Sequence, residues 1–280
     1  MKTMIPAALL LAGAACSSAP GPGAPAPGGA ALAWTRPTSA PLTYEIGDTA
    51  VVSMDIMGNA MEVNARSAST VAITLARAAA GLDATITFQS VSGEYSTPMG
   101  PALTLGDADK PGPTRMTVDP RGAATVTSRP ELSTVALQIL GSDSYVQRMF
   151  VRLPGRAVEP GARWTDTIPV NEEAAGMVTT GRNVVVSTLR GDTTIAGTRL
   201  LVIDSEITST QQVSGSNQGV EVRQSLTGTS TAVTLWDPAL GALVQRTETG
   251  VLSGSMELPG MGMSGMPVSI RQSQAMKLRR

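Results

Sequence analysis

The feature that most constrains this chain is a period of two. Leu82, Ala84, Ile86 and Phe88 alternate with Asp83, Thr85, Thr87 and Gln89, and Met61, Val63 and Ala65 alternate with Glu62, Asn64 and Arg66. Leu201, Ile203 and Ile207 share one face in the same way. Successive side chains of a strand point to opposite faces, so this pattern predicts antiparallel strands with one face buried. Turn residues punctuate the runs: Gly58-Asn59, Asp119-Pro120-Arg121-Gly122, Gly191 to Gly197, Gly215 to Gly219, and Asp237 to Gly241. The strands are expected near 42–57, 60–77, 82–95, 113–119, 122–128, 163–169, 177–190, 198–213, 219–236, 242–256 and 266–278. Several are far longer than the usual ~5–6 residues. Long antiparallel strands coil strongly, and a large sheet of them wraps or closes. The expectation is an all-β, mainly antiparallel domain over 42–280: a strongly curved sheet or half-barrel of 10–11 strands.

One segment departs from the pattern. Ser128-Arg129-Pro130-Glu131 has the form of a capping box with Pro in the first turn. Leu132, Val135, Ala136 and Ile139 follow at helical spacing, Gly141 interrupts, and Val146, Met149, Phe150 and Leu153 resume the stripe. This predicts one short broken helix over 130–152, covering the apolar concave face that an open curved sheet would expose. If that face holds a ligand, the helix residues Leu132, Val135, Ile139, Met149 and Phe150 are the candidates to touch it.

Composition excludes many chemistries. The 280 residues contain no His and one Cys, so neither Ser-His-Asp catalysis nor an imidazole or thiolate metal site is available. With a net charge of −1 and three Lys, nothing favours nucleic acid. There is no G-x-S-x-G, Walker loop or dinucleotide fingerprint. Ser and Thr, though abundant, are expected on solvent-facing strand faces. Glu172-Glu173 and Asp107/Asp109 read as loop acids without the spacing of a calcium loop, and Asp204 and Glu206 as an exposed strand face opposite Arg. Arg129, Arg148, Arg152, Arg156 and Arg163 gather around the helix and its exit, where a basic rim is conceivable but scattered surface charge is the simpler reading. The 14 Met include a 256–266 cluster and Met54, Met57 and Met61. Thioethers are soft ligands that suit Cu(I). With no His or free Cys to assist, these Met read instead as adaptable core, apolar binding surface or mobile hairpin tips. No catalytic residue, metal or cofactor is assigned.

The N-terminus carries an address. Lys2 precedes an apolar stretch, Ile5 to Ala15, too short to span a bilayer. It ends at the chain's lone Cys, in Leu11-Ala12-Gly13-Ala14-Ala15-Cys16. This resembles the lipobox of bacterial lipoproteins. The resemblance implies removal of residues 1–15, a diacylglycerol on the Cys16 sulfur and an acylated amine; Ser17 in place of Asp implies sorting to the outer membrane. Residues 16–41 hold six of the 19 Pro and almost no charge, and are expected to form an extended tether.

Two short connectors add a second resemblance. Leu153-Pro154-Gly155, continuing through Pro160-Gly161-Ala162-Arg163-Trp164, and Trp236-Asp237-Pro238 with Gly241 and Leu243, are similar in layout to the LolA/LolB-like half-barrel lipoprotein carriers. That likeness implies an apolar cavity for a lipid or acyl chain and transfers no individual residue. The expectation is therefore a non-catalytic, outer-membrane-anchored lipoprotein facing the periplasm, joined to the membrane through its lipid and binding an apolar small molecule or lipid. The alternative is an envelope scaffold that binds another protein, its identity unknown.

Overall fold

A computed structural model describes residues 30–279 apart from 57, 99, 141–143, 175, 218 and 219. Its strands are β1 (Ala30–Leu32), β2 (Leu42–Ile56), β3 (Asn59–Ala78), β4 (Gly81–Ser96), β5 (Leu103–Leu105), β6 (Thr114–Val118), β7 (Ala124–Ser128), β8 (Arg156–Val158), β9 (Arg163–Ala174), β10 (Met177–Ile195), β11 (Thr198–Asn217), β12 (Val220–Asp237), β13 (Ala242–Leu258) and β14 (Met263–Leu278). Two short helices, α1 (Thr134–Leu140) and α2 (Ser144–Gln147), lie between β7 and β8. The expected all-β class and curved open sheet hold. Each of the eleven anticipated strands is present, and three-residue β1, β5 and β8 are additional.

Twelve strands form one antiparallel sheet in the order β7-β6-β4-β3-β2-β14-β13-β12-β11-β10-β9, with β5 on β4. Two meanders, β2–β7 and β9–β14, join where β2 pairs with β14. This order places β7 and β9 at opposite edges, so the chain between them must cross from one edge to the other. The helical segment makes that crossing. Curvature brings the edges within side-chain reach: Asp166 of β9 lies 3.6 Å from Arg121 in the β6–β7 turn and 3.9 Å from Arg152 beyond the helices.

Turns are built by local acceptors. Asp119 Oδ1 accepts from the Arg121 and Ala123 amides at 2.9 and 2.7 Å, and Asp237 Oδ1 accepts from Ala239 and Leu240, both at 2.9 Å. The helix start differs from expectation. Ser128 ends β7, and Ser133 is the residue that caps α1, its Oγ accepting from the Ala136 amide at 3.1 Å. The Gly141 break lies outside the described residues.

The concave face carries two apolar clusters. The larger joins Tyr44, Val71, Leu75, Ile86, Met116 and Trp236 of the strands to the helical segment, through Ala136, Leu140, Met149 and Phe150. The smaller, toward the other end of the long strands, centres on Leu226, Leu252, Met256, Met266 and Val268. Close strand approach near it depends on missing side chains. A Cβ on Gly228 would strike the Val251 carbonyl, and one on Gly254 the Ser225 carbonyl.

The body begins before residue 42. β1 pairs with β8, and Trp34 is 2% exposed, its indole N–H donating to the Val151 carbonyl at 3.1 Å. The stretch 30–41 read as the end of the tether is thus partly built into the fold. Cys16 and the rest of the tether lie outside the described residues. Among the described residues, no helix is long and apolar enough to cross a membrane.

Candidate functional site

The crossing segment roofs a cleft of about 290 Å³. Phe88 of β4 and Thr114 of β6 form its floor; Leu132, Leu137, Leu140, Tyr145 and Val146 form most of the roof. Arg129 and Glu131 border it from one side of the open seam and Glu173 of β9 from the other. Tyr145 is held firmly, stacked on Phe88 with centroids 5.8 Å apart and hydrogen-bonded to Ser69 Oγ at 2.7 Å. Burial pushes the Tyr145 hydroxyl well above the ordinary tyrosine range, so it remains a neutral donor and acceptor.

Of the five helix residues expected to meet a ligand, Leu132 lines this cleft. Met149 and Phe150 are buried in the main core, and Val135 and Ile139 pack half-buried against it. A helical stripe marks a buried face, and in this segment most of that face is spent on closing the core. Leu137, Leu140, Tyr145 and Val146 fall between or beside the chosen positions.

Beside the cleft is a polar belt that local sequence did not reveal. Asp48 of β2, Gln274 of β14 and Glu248 of β13 stand in one cross-sheet row. Gln274 Nε2 donates to Asp48 Oδ1 at 2.8 Å. Arg246 pairs with Glu248 at 2.6 Å, their side chains only 11% and 15% exposed. Burial raises the Asp48 carboxyl above the usual carboxylate range; Arg148 and the Gln274 bond oppose that, and Glu248 adds to it. Asp48 Oδ2, Ser67 Oγ and Arg246 Nε are buried without a protein hydrogen-bond partner.

Several serines also depart from expectation. Ser67, Ser69, Ser187, Ser205, Ser209 and Ser230 are buried, and Ser187 and Ser205 bond each other at 2.9 Å. The concave face is therefore a polar floor between two apolar ends. Three of the other acids singled out have structural partners. Asp107 accepts from the Val91 amide at 2.8 Å, Asp109 from Ser133 Oγ at 3.2 Å, and Asp204 is gripped by Arg190. Glu172 and Glu173 lie in β9, where loop acids were expected. The five arginines do not form one rim: Arg152 faces Asp166, Arg148 acts on Asp48, and Arg156 and Arg163 are exposed on strands.

No protein-family description matches the chain, and no curated protein does. Among solved structures it is similar to a DUF1329 family protein from Desulfovibrio piger, at 9% identity and a TM-score of 0.15, over 84% of this chain and 85% of that one. At that score the likeness carries nothing about this chain's function.

Proposed function

We propose that this chain is a non-catalytic lipoprotein of the cell envelope, anchored to the outer membrane through Cys16 and facing the periplasm, and that it binds one apolar chain in the cleft under α1. The observation that carries the reading is the lining: Phe88, Leu132, Leu137, Leu140 and Val146 enclose an apolar slot, with Arg129, Glu131 and Glu173 placed to meet a polar end. Ligand sites are typically concave, mainly apolar and equipped with a few polar groups. At about 290 Å³ the cleft sits at the lower end of the ~300–1,000 Å³ usual for small-molecule sites, which suits a single short chain better than a whole phospholipid. The scaffold alternative has less support. The exposed valines Val233 and Val251 stand on strands opposite Thr247 and Thr229, as isolated surface residues do.

The test is titration of the full chain with cis-parinaric acid, a fluorescent fatty acid. Saturable 1:1 uptake is expected, and its loss in a Leu132→Trp variant that melts at the wild-type temperature. A well-folded wild-type chain that takes up no probe overturns the reading.

A further inference from the structure

We propose that the end of the sheet where the chain enters is its membrane-facing end, and that the turns at Ile195 and Leu240 dip into the headgroup layer of an anionic bilayer. This rests on the Cys16 anchor proposed above and adds an orientation to it. The entering chain lies across that end. The Trp34 amide donates to the Pro120 carbonyl, the Arg36 guanidinium to the Ala239 carbonyl, and the Thr38 amide to the Leu75 carbonyl. The β3–β4, β6–β7, β10–β11 and β12–β13 turns share this end, and the β2–β3, β11–β12 and β13–β14 hairpin tips share the other. Fourteen peptide bonds join Cys16 to Ala30. At ~3.3–3.6 Å per residue they span at most about 50 Å. The 20 residues of β11 put its far hairpin tip about 60 Å from the opposite end, at ~3.3 Å per residue. A body standing on the far tips would need the tether drawn to nearly full length; one standing on the entering end would not.

The side chains at the two ends differ in the same sense. Ile195 and Leu240 are 46% and 37% exposed at turns of the entering end. Ile195 pairs with Thr198, so Ala196 and Gly197 make a two-residue turn. Ala196 has φ 47° and is the one residue other than Gly at positive φ among the described residues. Such turns usually carry Asn, Asp or Gly, which hold this conformation at less cost. An apolar residue is kept here despite the strain. Several acids of this end are engaged: Glu45 with Arg279 at 2.8 Å, Asp192 with Arg199 at 2.6 Å, and Asp119 and Asp237 with turn amides. Exposed Arg36, Arg77, Arg156 and Lys277 are then set against exposed Asp83 and Glu159. The far tips also show apolar side chains: Val178, Val220 and Met261, the last being the one methionine of 256–266 outside the paired strands, where a mobile tip was one of the sequence expectations. Asp55, Glu62 and Glu257 stand exposed among them, and Arg223 is taken by Glu221 at 2.7 Å. An anionic surface repels that end and attracts the other. Binding to such a surface grows with buried apolar area and with attraction to anionic lipid, and the entering end offers both.

The test supplies the anchor chemically, so it reads orientation independently of lipidation in the cell. The full chain is coupled through its single thiol, Cys16, to maleimide lipid in vesicles of phosphatidylethanolamine and phosphatidylglycerol, with acyl chains brominated or not. Trp34 and Trp236 are buried, and the wild-type chain supplies the baseline. Ile195→Trp, Leu240→Trp and, at a far tip, Val220→Trp each place a reporter at an exposed position. Brominated lipid should quench the added fluorescence at 195 and 240 at least twofold and leave that at 220 nearly unchanged. Exchanging phosphatidylglycerol for phosphatidylcholine should at least halve the quenching. No quenching at 195 and 240, equal or greater quenching at 220, or indifference to lipid charge overturns the proposal. Absence of an acyl label on Cys16 in a processing host would instead refute the anchor and leave the quenching result standing.

Discussion

Trp34 meets Trp236 edge to face, with ring centroids 4.8 Å apart and planes at 85°. The same indole lies 5.1 Å from Phe150 and donates to Val151, so one residue near the N-terminus joins β12 to the chain leaving α2. Trp34→Ala should cost about 3–5 kcal/mol, the range for emptying a buried aromatic site. Equilibrium urea unfolding of the full chain measures this. A loss below about 1 kcal/mol would mean that the strap is dispensable.

Asp48 predicts a dependence on pH. Its carboxyl is raised by burial, so the folded chain holds that proton more tightly than the unfolded one. The contribution to stability is therefore full below the ordinary Asp value of about 4 and declines as pH rises through the higher folded value. Asp48→Asn can still accept from Gln274 and carries no charge. Its melting temperature should match wild type near pH 4 and exceed it at pH 7. Equal pH dependence in the two proteins would assign the effect to another group.

Gly228 tests the close approach of β12 and β13. Added to this backbone, a methyl meets the Val251 carbonyl and Leu252 Cα of the next strand. Gly228→Ala should destabilise by about 1–3 kcal/mol through overpacking, despite the better intrinsic propensity of Ala. Denaturant midpoints give the magnitude; a neutral or stabilising result would show that the strands separate here with little resistance.

The anchor proposed at Cys16 has a direct test. In a bacterial host that processes lipoproteins, the wild-type chain should incorporate labelled palmitate and sediment with membranes. Cys16→Ser should lose the label and move to the soluble fraction, because one lost sulfur removes two acyl chains worth ~0.8 kcal/mol per buried CH₂. Unchanged fractionation would refute the anchor.

These tests divide along what sequence could express. Alternation and turn punctuation together marked all eleven principal strands, and Asp119 and Asp237 fell in their turns, because a period of two and an Asx acceptor are local signals. Three-residue β1, β5 and β8 are too short to show a period, and β1 lies just beyond a Pro-rich stretch. Alternation also fails to say which face is buried when both are small or polar, which is why the inward serines were assigned to solvent. Asp48, Glu248 and Gln274 become neighbours only through the β2–β14 pairing, across more than 200 residues of chain for the Gln274–Asp48 bond. Met54 joins the cluster of Met256, Met266 and Val268 through the same pairing. In the cleft, Leu132 was legible from helical spacing, whereas Glu173 arrives from the opposite edge of the sheet and Phe88 from its floor.

That open seam has a cost for self-association. β9 pairs with β10 on one side, and its other side could template a strand from a second copy of the chain. Pro169 offers no amide hydrogen there, and Asp166, Glu172 and Glu173 line the same twelve residues with negative charge. At the opposite edge β7 spans only five residues, and Pro130 follows soon after. The curved sheet can therefore stay unclosed while both margins discourage edge-to-edge polymerisation.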